Sequence, residues 1–152
     1  MRLVLYQPDI PQNAGALLRL GACLGVPLDL VEPAGFLIDD RRLARSAMDY
    51  AAAADLTRHA SWARYLAGRA PGRLVLLTTR AETRHLDFVF RADDALLLGQ
   101  ESSGVPPQVR AVCDAEVRVP IRPGLRSLNV ALAAALVLGE ALRQTKSFPE
   151  AA

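Results

Sequence analysis

The 152-residue sequence has few of the side chains that build disulfides and metal sites. Its two cysteines, Cys23 and Cys113, stand among apolar residues, so we expect buried, reduced thiols and no disulfide. Its two histidines, His59 and His85, are not at metal-ligand spacing from each other or from the cysteines, and we therefore predict no metal.

Long hydrophobic runs are also missing. The longest apolar stretch covers residues 130–139, about half of the roughly 20 residues that a membrane span needs. The apolar run at the N-terminus is too short for a signal peptide and has no cleavage site. We expect a cytoplasmic protein without membrane contact, and the length favours a single domain over residues 1–152.

Three common catalytic motifs are absent. No G-x-G-x-x-G follows a strand, so the dinucleotide fingerprint is missing. Residues 99–104 have the glycine spacing of a phosphate loop, but Val105 stands where that loop needs lysine. No G-x-S-x-G surrounds Ser102 or Ser103, which argues against a hydrolase nucleophile elbow.

Positive charge is carried almost entirely by arginine, since Lys146 is the single lysine and the net charge is only +2. A genome-wide preference for arginine is one explanation. Phosphate recognition is another, because a guanidinium pairs with phosphate oxygens through two hydrogen bonds. The grouping of Arg118, Arg122 and Arg126 favours the second explanation without removing the first.

Short apolar segments alternate with helical ones along the chain. We predict strands at residues 2–6, 28–31, 73–78, 95–98 and 116–120, while residues 50–57 are ambiguous. We predict helices at residues 13–24, about 40–47, 62–67, 106–112 and 127–145. The predicted helix caps are Asn13, Asp39 or Asp40, and Ser61. This alternation predicts an α/β fold with a mostly parallel sheet of five or six strands and helices on both faces.

Ligands of such sheets bind at the carboxyl ends of the strands. Three predicted strands of the C-terminal half end at Thr78, Gly99 and residues 119–120. The loops at 99–106 and 118–130 offer exposed main-chain amides and carbonyls and small side chains, which lets a ligand approach the main chain closely. We therefore expect one small-molecule pocket between these loops.

Residues 13–22, 97–106 and 117–130 resemble, in this order, the three motifs of the SPOUT methyltransferases in their SpoU branch. The resemblance covers essentially the whole chain. It implies an α/β domain with a C-terminal deep trefoil knot that holds S-adenosylmethionine, and a homodimer. Residues 32–36 and 44–50 are further similar to a minimal subfamily that methylates the ribose 2′-oxygen of the tRNA wobble nucleotide, cytidine or modified uridine 34.

The sequence departs from this family pattern at three places. Gln100 stands where relatives usually have proline, and Ser103 where they often have arginine. Ala131 and Leu132 replace a polar pair that typically follows in the third motif. A methyltransferase of another RNA, a catalytically silent RNA-binding module on the same fold and a flavodoxin-like nucleotide-binding domain stay open, the last disfavoured by the missing phosphate loop.

The resemblance implies four catalytic residues: Arg19, Asn13, Glu101 and Asn129. It implies seven residues at the cofactor: Leu77, Thr78, Gly99, Val119, Ile121, Ser127 and Leu128. Helix capping alone would also explain Asn13, Ser127 and Asn129. Glu101 has no obvious structural partner in the sequence, which favours a carboxylate that faces the pocket over an exposed loop charge. The remaining apolar residues would also belong to the core.

Arg19 has three explanations. By resemblance it is the proton acceptor, yet a free guanidinium has a pKa above about 12 and is a poor base. A phosphate clamp that orients the RNA is the second explanation, and a solvated helix residue the third. The apolar character of residues 130–142 favours a homodimer, and the resemblance places Arg19 of one protomer at the cofactor pocket of the other.

Overall fold

The computed structural model describes residues 1–37, 45, 47, 50 and 53–150. Its strands are β1 (Arg2–Tyr6), β2 (Leu28–Val31), β3 (Leu56–His59), β4 (Leu74–Leu77), β5 (Ala95–Leu98) and β6 (Ala115–Val117). Its helices are α1 (Pro11–Leu24), α2 (Trp62–Gly68), α3 (Pro107–Arg110) and α4 (Val130–Thr145). The helix predicted at about 40–47, with its cap at Asp39 or Asp40, falls largely outside the described residues.

The six strands form one parallel sheet in the order β3-β2-β1-β5-β4-β6. The predicted α/β fold with a parallel sheet is therefore confirmed. The strand order reverses between β1 and β5, where Leu3 pairs with Leu28 on one side and Leu96 on the other. Ligand crevices of such sheets lie at the carboxyl ends of the strands, so the topology predicts a binding site at that edge of the sheet.

Helices cover both faces of the sheet. Leu3 and Leu5 of β1 point to the face covered by α1 and α4, where they meet Leu17 and Leu138. The alternate residues of the strands point to the face covered by α2 and α3, where Tyr65 is buried. Burial on both faces explains why the strand sequences are apolar without alternation.

Strand β3 occupies part of the segment that the sequence left ambiguous. It lies at the edge of the described sheet, paired with β2, and its central residues Thr57 and Arg58 are exposed. A strand half open to solvent lacks the apolar run that marks its neighbours. Strand β6 is shorter than the predicted 116–120, because its pairing with β4 ends at Val117.

The ends of the helices correct one predicted cap and one predicted helix start. Helix α1 begins at Pro11, a residue favoured in a first helical turn, so Asn13 is not its N-cap. Helix α4 begins at Val130 rather than at 127, and Asn129 caps it by accepting hydrogen bonds from Ala131 N and Leu132 N. The predicted Ser61 cap of α2 is confirmed by the hydrogen bond from Arg64 N.

The two cysteines are free, but they are not equally buried. Burial raises the pKa of the half-buried Cys113 thiol to about 11. Cys23 is exposed, so the expectation of a buried thiol is wrong there. It shares an exposed stripe of α1 with Ala16 and Arg19, opposite the buried Leu17 and Leu18. Across the described helices, none is long and apolar enough to cross a membrane.

Candidate active site

A cavity of about 840 Å³ opens at the carboxyl ends of β4, β5 and β6. Its walls come from residues 76–80, 98–105 and 117–119, and from the segment 126–130 that leads into α4. Ile10 and Asn13 close it from the side of α1. A volume of this size lies within the range of roughly 300–1,000 Å³ that is typical of cofactor and small-molecule sites.

The structure brings nearly all of the predicted site residues to this cavity. All seven residues predicted at the cofactor line it: Leu77, Thr78, Gly99, Val119, Ile121, Ser127 and Leu128. Three of the four residues predicted to be catalytic line it as well: Asn13, Glu101 and Asn129. Arg19 is the exception, because its side chain is on the exposed stripe of α1.

The loop from Gly99 to Gly104 presents main chain to the cavity. Gln100 N donates to Gly104 O at 2.9 Å and Gly104 N donates to Gln100 O at 2.8 Å, which closes the loop on itself. A Cβ on Gly99 would lie 2.5 Å from the carbonyl carbon of Gly104, so no side chain fits there. Gly104 has a φ of +71°, which also favours glycine.

The two departures from the family pattern in this loop contact each other. Ser103 Oγ donates a hydrogen bond to Gln100 Oε1 at 2.6 Å. A proline at position 100 would have no N–H for Gly104 O. Main-chain and side-chain hydrogen bonds therefore hold the loop here.

Three side chains form a hydrogen-bonded row along one side of the cavity. Asn129 Nδ2 donates to Asn13 Oδ1 at 2.8 Å, and Asn13 Nδ2 donates to Glu101 Oε1 at 3.1 Å. Asn129 also caps α4, so capping and a place at the cavity are combined in one residue. Asn13 is buried, which explains why it points inward rather than capping α1.

Glu101 has structural partners, contrary to the expectation from the sequence. Its Oε2 accepts a hydrogen bond from Asp9 N at 3.1 Å. Burial, and then the neighbouring Asp9 carboxylate, raise the pKa of Glu101 above its usual value. The hydrogen bond with Glu101 and that from Ser102 lower the pKa of Asp9 to about 2. Asp9 is therefore the more acidic group of the pair.

Sequence reasoning missed Asp9 and Arg80. Asp9 stands three residues after the end of β1, and only the pairing of β1 with β5 shows that this position meets the Gly99–Gly104 loop. Arg80 follows β4 and lines the cavity together with Arg118 and Arg126. Within the described part of the chain, these three arginines have no carboxylate within 4.0 Å. Arg110 also lines the cavity, but it forms an ion pair with Glu116.

Arg19 lies against an aromatic ring. Its guanidinium carbon is 5.2 Å from the centre of the Tyr50 ring, which is the geometry of a cation–π contact. The face of the ring stabilises the positive charge. The contact holds the guanidinium beside the ring on the outer side of α1.

Among the described residues, there is no group of three or more His, Cys, Asp or Glu side chains placed to hold a metal ion.

The model of the SpoU rRNA Methylase family matches residues 1–139 of the chain. The chain belongs to this family. Solved relatives share the architecture of this SpoU family member.

A curated relative is the tRNA (cytidine(34)-2'-O)-methyltransferase of Beijerinckia indica, which is 56% identical over 147 residues, 93% of this chain and 90% of the relative. A solved structure from work on the 2-OH methylation of C/U34 on tRNA is 42% identical, covers 94% of each chain and has a TM-score of 0.88. The SpoU methyltransferase AviRb from Streptomyces viridochromogenes, solved in complex with AdoMet, is 29% identical. That match covers 95% of this chain and 60% of AviRb, with a TM-score of 0.83.

Proposed function

We propose that this SpoU family member is an S-adenosylmethionine-dependent 2′-O-methyltransferase that acts on the ribose of the tRNA wobble nucleotide, cytidine or modified uridine 34. The observation that carries the proposal is the cavity at the ends of β4, β5 and β6, which joins a main-chain-lined loop to arginine side chains. The activity of the Beijerinckia indica relative supports the substrate. A tRNA substrate agrees with the expected cytoplasmic location and with one catalytic domain over residues 1–152.

The residues of the cavity fit this cofactor. The close approach of Gly99 and Gly104 leaves main-chain groups, rather than side chains, facing the ligand. Leu77, Val119 and Leu128 offer apolar contacts for a flat base, while Thr78, Ile121 and Ser127 offer hydroxyl and main-chain groups. When bound, the cofactor would supply a methyl group activated by a positively charged sulfur.

The polar row of Asn13, Glu101 and Asn129 would orient the reacting groups. Three linked side chains with fixed partners hold their positions without reorganising, and positioning supplies on the order of 7–11 kcal/mol for well-aligned reactants. We assign Arg19 to holding an RNA phosphate, because a guanidinium is a poor base but pairs with phosphate oxygens through two hydrogen bonds. The arginines at 80, 118 and 126 would bind further phosphates.

We propose that the C-terminal segment forms the deep knot of the family. The loop between β4 and β5 supports this, because it bonds to both ends of the segment that follows β6. His85 N donates to Arg118 O at 2.9 Å, and Gln144 of α4 bonds to Phe88 O and Phe90 N. A loop that wraps around this segment would make contacts of this kind at both of its ends.

We also propose a homodimer in which Arg19 of one protomer serves the cavity of the other. Leu132 and Leu136, one turn apart on α4, are 61% and 51% exposed, although the opposite side of α4 is buried. Arg19 is on the exposed stripe of the neighbouring α1. Covering these leucines with a second copy would stabilise them by roughly 25 cal/mol per Å² of apolar area.

The shared site is tested by mixing two inactive variants, Arg19→Ala and Gly99→Trp, after unfolding and refolding them together. If the arginine acts across the interface, a mixed dimer has one site with an intact cavity and an intact arginine, and activity returns. If it acts within its own chain, every site carries one lesion. An inactive mixture with heterodimers confirmed by mass spectrometry contradicts the shared site.

The enzymatic function is tested by incubating the protein with tRNA and S-adenosylmethionine and mapping ribose methylation by nucleotide. We expect a methyl group at position 34, and none when that ribose is already 2′-O-methylated. Equal methylation of ribosomal RNA fragments would contradict the tRNA substrate. Calorimetry without heat for S-adenosylmethionine or its demethylated product, with or without tRNA, would indicate the silent RNA-binding module instead.

A further inference from the structure

Asp9 is bonded reciprocally to the loop that carries Glu101. Asp9 Oδ1 accepts a hydrogen bond from Glu101 N at 3.0 Å, and Asp9 Oδ2 accepts one from Ser102 Oγ. In return, Asp9 N donates to Glu101 Oε2 at 3.1 Å. The main chain of each residue is therefore held by the side chain of the other, across 92 residues of sequence.

The main chain of Asp9 is itself fixed from its other side. Gly35 N donates to Pro8 O at 2.9 Å, which brings residues 32–37 onto the loop before α1. A Cβ on Gly35 would lie 2.9 Å from Asp9 Cα, so only glycine allows this approach. Asp9 is thus confined between the Gly35 segment and the Gly99–Gly104 loop.

The side chain of Asp9 does not line the cavity, whereas that of Glu101 does. Glu101 reaches the cavity with both of its carboxylate oxygens already bonded, Oε2 to Asp9 N and Oε1 to Asn13 Nδ2. Its own main-chain N–H depends on Asp9. Removing the Asp9 carboxylate would break its hydrogen bonds to the loop that carries Glu101. It would change none of the residues that line the cavity.

We propose that Asp9 is a positioning residue that anchors the Gly99–Gly104 loop through Glu101 N and Ser102 Oγ and thereby aims the Glu101 carboxylate into the cavity. The part of this inference that concerns activity rests on the proposed methyltransferase function. The part that concerns the loop does not, because the hydrogen bonds belong to the protein alone.

The first experiment measures amide hydrogen exchange by NMR in the ligand-free protein. Asp9→Ala removes the acceptor of Glu101 N, so exchange at the Glu101 amide should accelerate by more than about tenfold. Asp9→Asn retains an oxygen acceptor for Glu101 N and a polar partner for Ser102, so exchange there should stay close to that of the wild type. The control is Asp114→Ala, which removes the acceptor of Leu74 N at the opposite end of the sheet and should accelerate exchange at Leu74 only.

The second experiment measures methylation of tRNA below the melting temperature of every variant. Asp9→Ala should lower kcat by about 10- to 100-fold, because a small displacement of an orienting group is that costly. Asp9→Asn should restore most of the activity, and Asp114→Ala should leave it unchanged. Since Asp9 acts through Glu101, adding Asp9→Ala to Glu101→Gln should cost less than about threefold.

The outcomes separate this inference from the proposed function. An unchanged exchange rate at Glu101 in Asp9→Ala overturns the inference, whatever the activity. Full activity of Asp9→Ala, or an effect that adds fully to that of Glu101→Gln, overturns it as well. A wild-type protein that methylates no tRNA contradicts the proposed function alone, because the exchange measurement still decides whether Asp9 anchors the loop.

Discussion

At the amino ends of the strands, Arg2 binds Asp29 at 2.7 Å and Arg73 binds Asp94 at 2.8 Å. Both carboxylates are almost fully buried, with 6% and 0% of their side chains exposed. At the carboxyl ends, by contrast, the described partners of Asp9 and Glu101 are main-chain N–H groups and side-chain hydroxyl and amide groups. Within the described residues, arginine therefore pairs with the two carboxylates at the amino ends and with neither of the two at the carboxyl ends.

This difference separates a stabilising end from a binding end. An arginine bonded to a buried carboxylate has satisfied its charge and is unavailable to a ligand. Of the arginines described at the cavity, Arg80, Arg118 and Arg126 have no such carboxylate, so their guanidinium groups remain available for phosphate. The comparison predicts which substitutions damage chemistry and which damage the fold.

The largest expected effect is the loss of methylation in Arg19→Ala. The affinity for S-adenosylmethionine should stay within a few-fold, because Arg19 does not line the cavity of its own chain. Single-turnover methylation and calorimetry measure the two quantities. Arg64→Ala, an exposed arginine of α2, is the control and should retain activity. A collapse of cofactor binding in Arg19→Ala would show that this arginine supports the fold instead.

Breaking an ion pair at the amino ends of the strands should lower stability and leave methylation intact, the opposite of what we expect for Arg19→Ala. Asp94→Ala leaves the Arg73 guanidinium without its buried partner and should lower the free energy of unfolding by about 3 kcal/mol. Folded protein at low temperature should still methylate tRNA. Urea unfolding and an activity assay measure both. The control is Asp87→Ala, which removes an exposed partner of Arg84 and should leave the free energy of unfolding nearly unchanged.

Removing three of the cavity arginines should weaken RNA binding in a salt-dependent way. A triple change of Arg80, Arg118 and Arg126 to glutamine should raise the Kd for tRNA and reduce the salt slope by about 0.7–0.9 for each phosphate that the variant no longer neutralises. Arg110→Gln is the matched control, because that arginine lines the same cavity but is already paired with Glu116. Equal salt slopes in the triple variant and the wild type would contradict the assignment of these three arginines to phosphate binding.

The smallest expected effect concerns Glu101 and pH. Its pKa is raised in the folded protein by burial and by Asp9, so its contribution to stability is fully present below the unfolded pKa. That contribution is lost as the pH rises through the folded value. The Tm of Glu101→Gln relative to the wild type should therefore increase as the pH is raised from about 4 to 8. A difference in Tm that is constant with pH would contradict the assigned direction.

Local sequence patterns predicted the sheet and the cavity well, because both depend on where apolar strands end. The ends at Thr78 and Gly99 follow directly from buried strands, and the cavity is where parallel strands finish together. Strand β3 escaped prediction because an edge strand with exposed Thr57 and Arg58 lacks an apolar signature. The predicted roles of the cavity residues stay predictions.

The misassigned cap at Asn13 shows what local patterns omit. An asparagine before an apolar helical stretch suggests an N-cap, but α1 already begins at Pro11. The side chain of Asn13 instead forms hydrogen bonds with Glu101 and Asn129. Those partners lie 88 and 116 residues away along the chain. Asp9 was missed for the same reason. Contacts of this kind follow from strand order, which propensities and spacing do not contain.

The bond between Asn13 and Asn129 also has a consequence for how the protein is made. At a synthesis rate of about 5–20 residues per second, the 116 residues between them take roughly 6–23 s to translate. During that interval the N-terminal partner exists without its counterpart. Each newly made chain therefore completes its polar row only after residue 129 has been synthesised, and a product that stops before this residue keeps at most the bond between Asn13 and Glu101.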